Sequence, residues 1–218
     1  MAFRLAYGVR RLLVYAGLLM TLGMTAPAAA QDMHILAFGD SLTAGYGLPQ
    51  GQGFAPQLED SLRRNGIRAH VINAGVSGDT AAAARARVGW TLDGLPRKPD
   101  LAIVALGGND MLRGLRPSQT RADLDAILAE FERRGIKILL AGMLAAPNLG
   151  PQYGAEYNRI FPDLARQYRA SFYPFFLANV AGVTALNLPD RVHPNFQGIK
   201  RMVGGITPAV IEAVAKVG

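Results

Sequence analysis

A serine, a histidine and an aspartate stand in this sequence where together they could carry out acyl transfer. Ser41 follows a short apolar run that stops at Gly39, and His193 lies three residues after Asp190, just before the last amphipathic stretch. A serine hydroxyl becomes a good nucleophile when a base takes its proton, and a carboxylate can orient that base. The simpler interpretations are a serine that caps a helix and an exposed histidine in an ordinary aspartate turn.

Only one of the three histidines stands in a segment that suits a catalytic base. His34 and His70 lie in apolar runs, where we expect them to be packed or to lie at a sheet edge. His193 is followed by Pro194, a residue that suits the first turn of a helix and would make the loop rigid. We therefore take His193 as the base, the serine as nucleophile and the preceding aspartate as the orienting acid.

Acyl transfer also needs N–H donors for the negative charge that develops on the carbonyl oxygen. The candidate donors are the backbone N–H groups of Ser41 and Gly78 and the side-chain amide of Asn109. Glycine and asparagine also mark ordinary turns, so none of these signals is specific alone. Nearby polar residues are predicted to cap a helix or to brace loops instead: Asp79 with Thr80 in the first role, and Asp40 and Asp110 in the second.

Short apolar runs predict the strands that would position these residues. Four runs are clear and the last is weaker: His34–Phe38, Arg68–Ile72, Leu101–Leu106, Ile136–Ala141 and Ala170–Tyr173. Apolar runs of this length next to glycine are typical of strands buried on both faces. Since the carboxyl ends of parallel strands meet at one rim, the polar turns after the first three strands should converge there.

Amphipathic segments alternate with these runs, which indicates an α/β fold with a parallel sheet and helices on both faces. The predicted helices are Phe54–Asn65, Asp79–Thr91, Ser118–Arg134 and Asn195–Val217, the last interrupted by glycines and by Pro208. Residues 142–157 are rich in proline, glycine and asparagine and form the longest predicted loop.

The first thirty residues have the layout of a secretory signal peptide. A basic segment (1–11) precedes an apolar run (12–25) and a small-residue cleavage site, Ala28-x-Ala30. The run is shorter than the ~20 residues that span a bilayer, and an uncleaved anchor is the alternative. We expect residues 1–30 to direct export to the periplasm or the medium, and residues 31–218 to form one domain.

Composition and charge exclude several other classes of protein. The chain carries a formal net charge of +7, and three of its basic residues, Arg4, Arg10 and Arg11, lie in the leader. The other basic residues are scattered, without dense runs or interleaved aromatics, which argues against a nucleic-acid partner. The chain has no cysteine, which excludes disulfides, thiolate nucleophiles and cysteine metal sites.

At the candidate residues the chain resembles the SGNH (GDSL) hydrolase family. Gly39–Leu42 is similar to the motif that gives the family its second name, and Asp190–His193 matches its terminal block. Gly78 and Asn109 stand at its signature glycine and asparagine. Ser41–Leu48, Gly78–Thr80 and Asn109–Gly114 resemble the bacterial arylesterase and acyl-CoA thioesterase/lysophospholipase subgroup.

This resemblance implies a flavodoxin-like three-layer αβα sandwich with five parallel strands, and neither metal nor cofactor. It also implies hydrolysis of small-molecule or lipid-like acyl esters or thioesters. No segment after residue 30 is long and apolar enough to predict a stable membrane span in the mature form, and a monomer is the favoured state. Arg191 departs from the small residue often found between the aspartate and the histidine, and Phe196–Gly198 also varies. Both departures bear on substrate choice rather than on activity.

Apolar residues near the predicted rim could line an acyl pocket or could be ordinary packing: Met111, Leu112, Leu115, Met143, Leu144 and Tyr153. Within the same family, the alternative function is a carbohydrate O-deacetylase, which would need a narrower pocket. Outside it, the alternative is a non-catalytic periplasmic module that holds an anion at helix N-termini. That module gives no reason for an aspartate, a histidine and an asparagine at these positions.

Overall fold

The computed structural model describes residues 32–217, which contain a five-stranded parallel sheet. The strands are β1 Met33–Gly39, β2 Ala69–Gly75, β3 Leu101–Ala105, β4 Lys137–Ala141 and β5 Ser171–Tyr173. Their order across the sheet is β2-β1-β3-β4-β5. Gly39 is level with Gly75 on one side and with Ala105 on the other. The turns after the first three strands therefore start at the same rim, as the sequence predicts.

Helices cover both faces of the sheet. Within the described part of the chain they are α1 Ser41–Ala44, α2 Phe54–Arg64, α3 Ala81–Asp93, α4 Gly108–Leu112, α5 Pro117–Arg133, α6 Pro151–Gln167 and α7 Phe196–Ala215. Helix α2 packs against α7, whereas α3 packs against α5 and α5 against α6. The predicted three-layer α/β architecture is confirmed.

The central strands are buried on both faces, which explains their continuous apolar runs. Every residue of β3 is buried, and Ile35, Leu36 and Phe38 of β1 are fully enclosed. The Phe38 ring meets Phe131 of α5 edge to face, with 5.6 Å between ring centroids. Complete burial of such a side chain contributes about 1.5–3 kcal/mol. This core fixes the strand ends from which the candidate residues project.

The predicted loop over 142–157 is wrong in its second half, because α6 begins at Pro151 and continues to Gln167. Proline suits a first helical turn, where its missing N–H would have no intrahelical partner. Pro162 lies inside the helix and removes one backbone hydrogen bond. A stripe of buried side chains at helical spacing outweighs that loss: Tyr157, Ile160, Phe161 and Leu164.

The last helix is also more regular than its sequence predicts, since α7 runs without interruption from Phe196 to Ala215. Its buried residues recur every three or four positions, so packing compensates for the proline and the glycines: Ile199, Met202, Val203, Ile206 and Val210. Gly205 permits close approach to the sheet, because a Cβ there would lie 2.5 Å from the hydroxyl of Tyr173.

The predicted signal peptide, residues 1–30, lies outside the described residues. Within residues 32–217, no helix is both long and apolar enough to cross a bilayer. The description of the candidate site therefore concerns the α/β domain alone.

Candidate active site

Ser41 lies at the rim of the sheet because a tight turn joins β1 to α1. The Asp40 carboxylate caps the short helix by accepting the N–H of Leu42 at 3.0 Å. Gly39 is required in this turn, since a Cβ there would lie 2.6 Å from the carbonyl oxygen of Ala105. The turn thus presents the serine as the first residue of α1, with its side chain mostly buried.

The loop before α7 brings His193 to this serine across 152 positions of sequence. Nε2 of His193 lies 2.9 Å from Oγ of Ser41, and Nδ1 lies 2.7 Å from Oδ2 of Asp190. The loop is closed by two backbone hydrogen bonds, from the N–H of Leu188 to the His193 carbonyl at 2.7 Å and from the N–H of Asn195 to the Leu186 carbonyl at 2.9 Å. The structure therefore brings together the three residues that the sequence singles out.

The environment of Asp190 keeps its carboxylate ionised. Oδ1 accepts the N–H groups of His193 and Val192 at 3.0 and 2.9 Å, while Oδ2 faces the imidazole. These bonds, with the backbone N–H of His193 the largest cause, lower the pKa of Asp190 to about 2. An ionised carboxylate only accepts hydrogen bonds, so Nδ1 of the histidine must donate.

Tyr46 is a neighbour of the histidine that sequence reasoning missed. Its ring lies over His193 with 4.4 Å between centroids and a tilt of 38°. The side chain is 51% exposed, so core packing does not explain its position. Gly45 and Gly47 on either side adopt positive φ values of 85° and 71°. The glycine–aromatic–glycine pattern close to the serine was the available signal, because such a pattern predicts a tightly turned, displayed aromatic ring.

Gly78 and Asn109 arrive at the same rim from the ends of β2 and β3. Gly78 has a φ of 88°, a left-handed conformation that favours glycine. The amide nitrogen of Asn109 donates to the Asp79 carbonyl at 2.9 Å and makes a longer contact of 3.4 Å with Oδ2 of Asp40. The amide therefore ties together the turns that follow the first three strands.

Arg87 of α3 clamps these turns from beneath and is a second residue that the sequence did not reveal. Its guanidinium donates to the Asp79 carboxylate at 2.6 Å and to the carbonyls of Gly39 and Ala74, each at 3.0 Å. It also lies over the Phe38 ring, 4.3 Å from the centroid. Spacing gives no signal for such contacts, because two of the acceptors are backbone carbonyls of different strands.

The remaining acids near the rim hold loops in place, as predicted. Burial is the main cause that raises the pKa of Asp40, to about 6, and burial likewise raises the pKa of Asp110. Asp110 accepts the N–H of Ala81 at 2.9 Å and the hydroxyl of Thr120 at 3.2 Å. Of the two residues predicted to cap α3, Thr80 does so, since its hydroxyl oxygen accepts the N–H at position 83 at 3.2 Å, whereas the Asp79 carboxylate binds Arg87.

A cavity of about 540 Å³ opens beside Ser41 and His193. Four of the six residues named as pocket candidates line this cavity: Met111, Leu112, Met143 and Leu144. Further apolar residues of the wall include Ala145, Pro147, Phe175, Leu177 and Val192. Leu115 and Tyr153 are not among the lining residues; the Tyr153 hydroxyl donates to the Leu115 carbonyl at 3.0 Å. The cavity suits an apolar chain whose reacting end lies at the serine.

The two other histidines lie at the opposite end of the sheet from Ser41. His34 and His70 are the second residues of neighbouring strands, and their rings meet edge to face at 5.7 Å. Nδ1 of His70 also lies 3.3 Å from the Glu59 carboxylate. Both are packed or edge histidines, as predicted.

Comparison with known proteins gives a consistent family assignment. Residues 37–201 match the GDSL-like Lipase/Acylhydrolase family. The chain is 36% identical over 200 residues to esterase TesA of Pseudomonas aeruginosa, a match that covers 92% of this chain and 98% of that protein. It is 34% identical over 172 residues to thioesterase 1/protease 1/lysophospholipase L1 of Escherichia coli K12, covering 79% of this chain and 80% of that protein.

A solved structure supports the same family assignment. The crystal structure of AlinE4, an SGNH-hydrolase family esterase, matches with 51% identity and a TM-score of 0.72, covering 84% of this chain and 97% of that chain. The family match spans well over half of the present sequence, and esterase TesA and AlinE4 are matched over nearly their whole length. The chain therefore belongs to the GDSL-like lipase/acylhydrolase family, the SGNH hydrolases, and is a carboxylic ester hydrolase.

Proposed function

We propose that this protein hydrolyses acyl esters and thioesters with Ser41 as nucleophile, His193 as base and Asp190 as the acid that orients the base. The observation that carries the proposal is the unbroken chain of contacts from the Asp190 carboxylate through the imidazole to the serine oxygen, at 2.7 and 2.9 Å. Because Nδ1 donates to the carboxylate, Nε2 is left with a lone pair that faces the serine hydroxyl.

The reaction then proceeds in two similar halves. The serine oxygen attacks the carbonyl carbon while Nε2 of His193 takes the hydroxyl proton. The bond to the leaving alcohol or thiol breaks as the imidazolium returns that proton to it, which leaves an acyl-enzyme. Water, activated by the same nitrogen, attacks the acyl-enzyme and releases the acid. The ionised Asp190 stabilises the imidazolium at both stages.

The oxyanion is held by the N–H groups of Ser41 and Gly78 and by the amide of Asn109. Ser41 opens a helix, and the first N–H groups of a helix have no intrahelical partner. One amide hydrogen of Asn109 is engaged by the Asp79 carbonyl, whereas the other makes only the 3.4 Å contact and can turn toward substrate. Each such donor contributes roughly 10²–10³-fold in rate.

The lining of the cavity supports an acyl chain as the group that enters it. Methionine, leucine, alanine and phenylalanine side chains provide most of its wall, so an alkyl chain replaces water there at little cost. A carbohydrate O-deacetylase needs acyl space only for an acetyl group, whereas the cavity beside Ser41 measures about 540 Å³ and has a mostly apolar lining. We accordingly favour substrates with alkyl chains over acetylated sugars.

We also propose that the enzyme is exported. The basic, apolar and small-residue segments of residues 1–30 support this, as does the short apolar run that ends before the Ala28-x-Ala30 site. In that location, ester substrates outside the cytoplasm are more accessible to the enzyme than cytosolic acyl-CoA.

The experiment combines Ser41→Ala with a panel of p-nitrophenyl esters from acetyl to palmitoyl. We expect Ser41→Ala to lower kcat by roughly 10⁶-fold and to abolish covalent labelling by a fluorophosphonate. We expect the wild type to prefer chains longer than acetyl. Ser77→Ala is the matched control, because Ser77 is exposed and adjacent to Gly78. Labelling that persists in Ser41→Ala would show that another serine is the nucleophile.

A further inference from the structure

Arg191 occupies an unusual backbone position in the loop that carries the base. Its φ is 59°, in the left-handed region that few residues other than glycine and asparagine adopt without cost. The turn imposes this conformation, because the Arg191 N–H donates to the Leu188 carbonyl at 2.9 Å while the next two N–H groups bind the Asp190 carboxylate. Glycine would satisfy the same turn with less strain, so the arginine side chain itself calls for an explanation.

The guanidinium of Arg191 lies where it can meet a substrate. The residue is exposed and lines the same cavity as Ser41 and His193. Within residues 32–217 the structure gives it no ion pair, although most of the other arginines there have one. Its donors are therefore free for a ligand at the mouth of the cavity.

The acids around the site leave no competing carboxylate for this arginine. Asp190 is engaged by the imidazole and two backbone N–H groups, Asp79 is paired with Arg87, and Asp40 is buried. The exposed Arg113 donates to the Gly78 carbonyl at 2.9 Å and adds a second positive charge near the candidate oxyanion donors. Two exposed guanidinium groups near the site favour an anionic ligand.

We propose that Arg191 binds an anionic group on the leaving-alcohol portion of the ester, which makes it a specificity-determining residue. This rests on the proposed function, in which His193 returns the proton to the leaving group. Arg191 lies two residues before His193, the group that returns the proton to the leaving alcohol, and lines the cavity together with it. A planar guanidinium binds phosphate or carboxylate oxygens through paired N–H donors. The substrate class is therefore an acyl ester of a small alcohol that carries a phosphate or a carboxylate.

The test uses substrate pairs that differ in the charge of the alcohol. One pair is 1-hexanoylglycerol and 1-hexanoylglycerol 3-phosphate, and the other is 4-acetylphenyl and 4-carboxyphenyl hexanoate. We expect Arg191→Gly to lower kcat/KM for the charged member of a pair by about 10-fold or more and to change the neutral member less than about twofold. A loss for the phosphate pair alone identifies a phosphate ligand, and a loss for the carboxylate pair alone identifies a carboxylate ligand.

Arg191→Lys is the matched variant, because it keeps the charge and loses the fork of N–H donors; its discrimination should fall between those of the wild type and Arg191→Gly. Arg191→Gly should fold, since glycine accepts the left-handed backbone. Equal losses on charged and neutral esters would overturn the proposal. So would a loss confined to an ester with its charge on the acyl side, such as 4-nitrophenyl hemisuccinate. Fluorophosphonate labelling of Arg191→Gly at the wild-type rate separates these outcomes from a failure of the proposed mechanism.

Discussion

Replacing Asp40 by asparagine tests the cost of a charge buried beneath the candidate site. The Asp40 side chain is enclosed, with the residue only 2% exposed. One oxygen accepts the N–H of Leu42 at 3.0 Å, and the other makes only the long contact with Asn109. Burial raises the pKa of Asp40 from its ordinary 3.8 to about 6, and the bond to Leu42 opposes this only in part. Asparagine keeps a capping oxygen but carries no charge.

The sign of the effect follows from the direction of the shift. A folded-state pKa above the unfolded value means that the folded protein holds the proton more tightly. The stability contributed by protonated Asp40 is therefore complete below pH 3.8 and is lost as the pH rises through about 6. Relative to fully protonated Asp40, deprotonation lowers the free energy of unfolding by about 1 kcal/mol at pH 4.5 and by about 3 kcal/mol at pH 8. We expect the stability of Asp40→Asn relative to the wild type to rise by about 2 kcal/mol between these pH values.

Urea unfolding of both proteins at pH 4.5 and pH 8, followed by circular dichroism, measures the four free energies of unfolding. Other carboxylates titrate in both proteins and cancel in the comparison. Asp60→Asn, at an exposed position of α2, controls for the loss of one negative charge. A relative stability of Asp40→Asn that is equal at both pH values, or lower at pH 8, would refute the argument that burial disfavours the carboxylate.

Two further predictions concern the clamp beneath the site and the leader. Arg87→Met leaves the Asp79 carboxylate without its 2.6 Å partner. It should reduce the free energy of unfolding by about 3–5 kcal/mol, with a smaller loss for Arg87→Lys, measured by urea unfolding; equal stability of the methionine variant and the wild type would contradict this. For the leader, the mature protein isolated after export should begin at Gln31 by N-terminal sequencing. A start at Met1 would contradict cleavage.

The parts of the fold that the sequence predicts well are those with a local signal. Apolar runs in the sequence predict the five strands. In central strands such as β3 every residue is apolar, because helices bury both faces of the sheet. Helix α6 shows where a local signal misleads. Proline at positions 151 and 162 argues against a long helix, yet the buried stripe from Tyr157 to Leu164 supplies enough packing to maintain it. The helical spacing of these apolar residues predicts the helix more reliably than the two prolines predict a loop.

Prediction of the candidate site divides in the same way. Ser41, Gly78 and Asn109 follow the ends of adjacent parallel strands, so their convergence is a consequence of topology. Arg87 could not be predicted, because its role depends on two backbone carbonyls and an acid from different segments. Every residue has a backbone carbonyl, so the sequence does not indicate which carbonyls accept from an arginine. The flanking glycines could have predicted an exposed Tyr46 ring, but its contact with the imidazole depends on how two loops meet.

The order of the strands explains why the base has to come from the last loop. From β1 the chain passes through α2 to β2 on one side, then returns through α3 to β3 on the other side. The loops that leave β1 and β3 therefore diverge and leave a crevice at the carboxyl ends, where open α/β sheets bind ligands. These loops provide the serine and the asparagine, but neither provides a histidine.

The position of His193 is then set by the docking of α7 rather than by its own loop alone. Asn195 caps α7 by accepting the N–H groups of Gln197 and Gly198, at 3.0 and 3.1 Å. A Cβ at Gly198 would lie 2.1 Å from the Leu186 carbonyl oxygen, so the start of the helix is pressed against the segment that leads into the loop. Because α7 also packs on α2 and on the last two strands, the 2.9 Å approach of the imidazole to the serine rests on the whole helical layer. Changes along the buried face of α7 should therefore affect the candidate base as well as the stability of the fold.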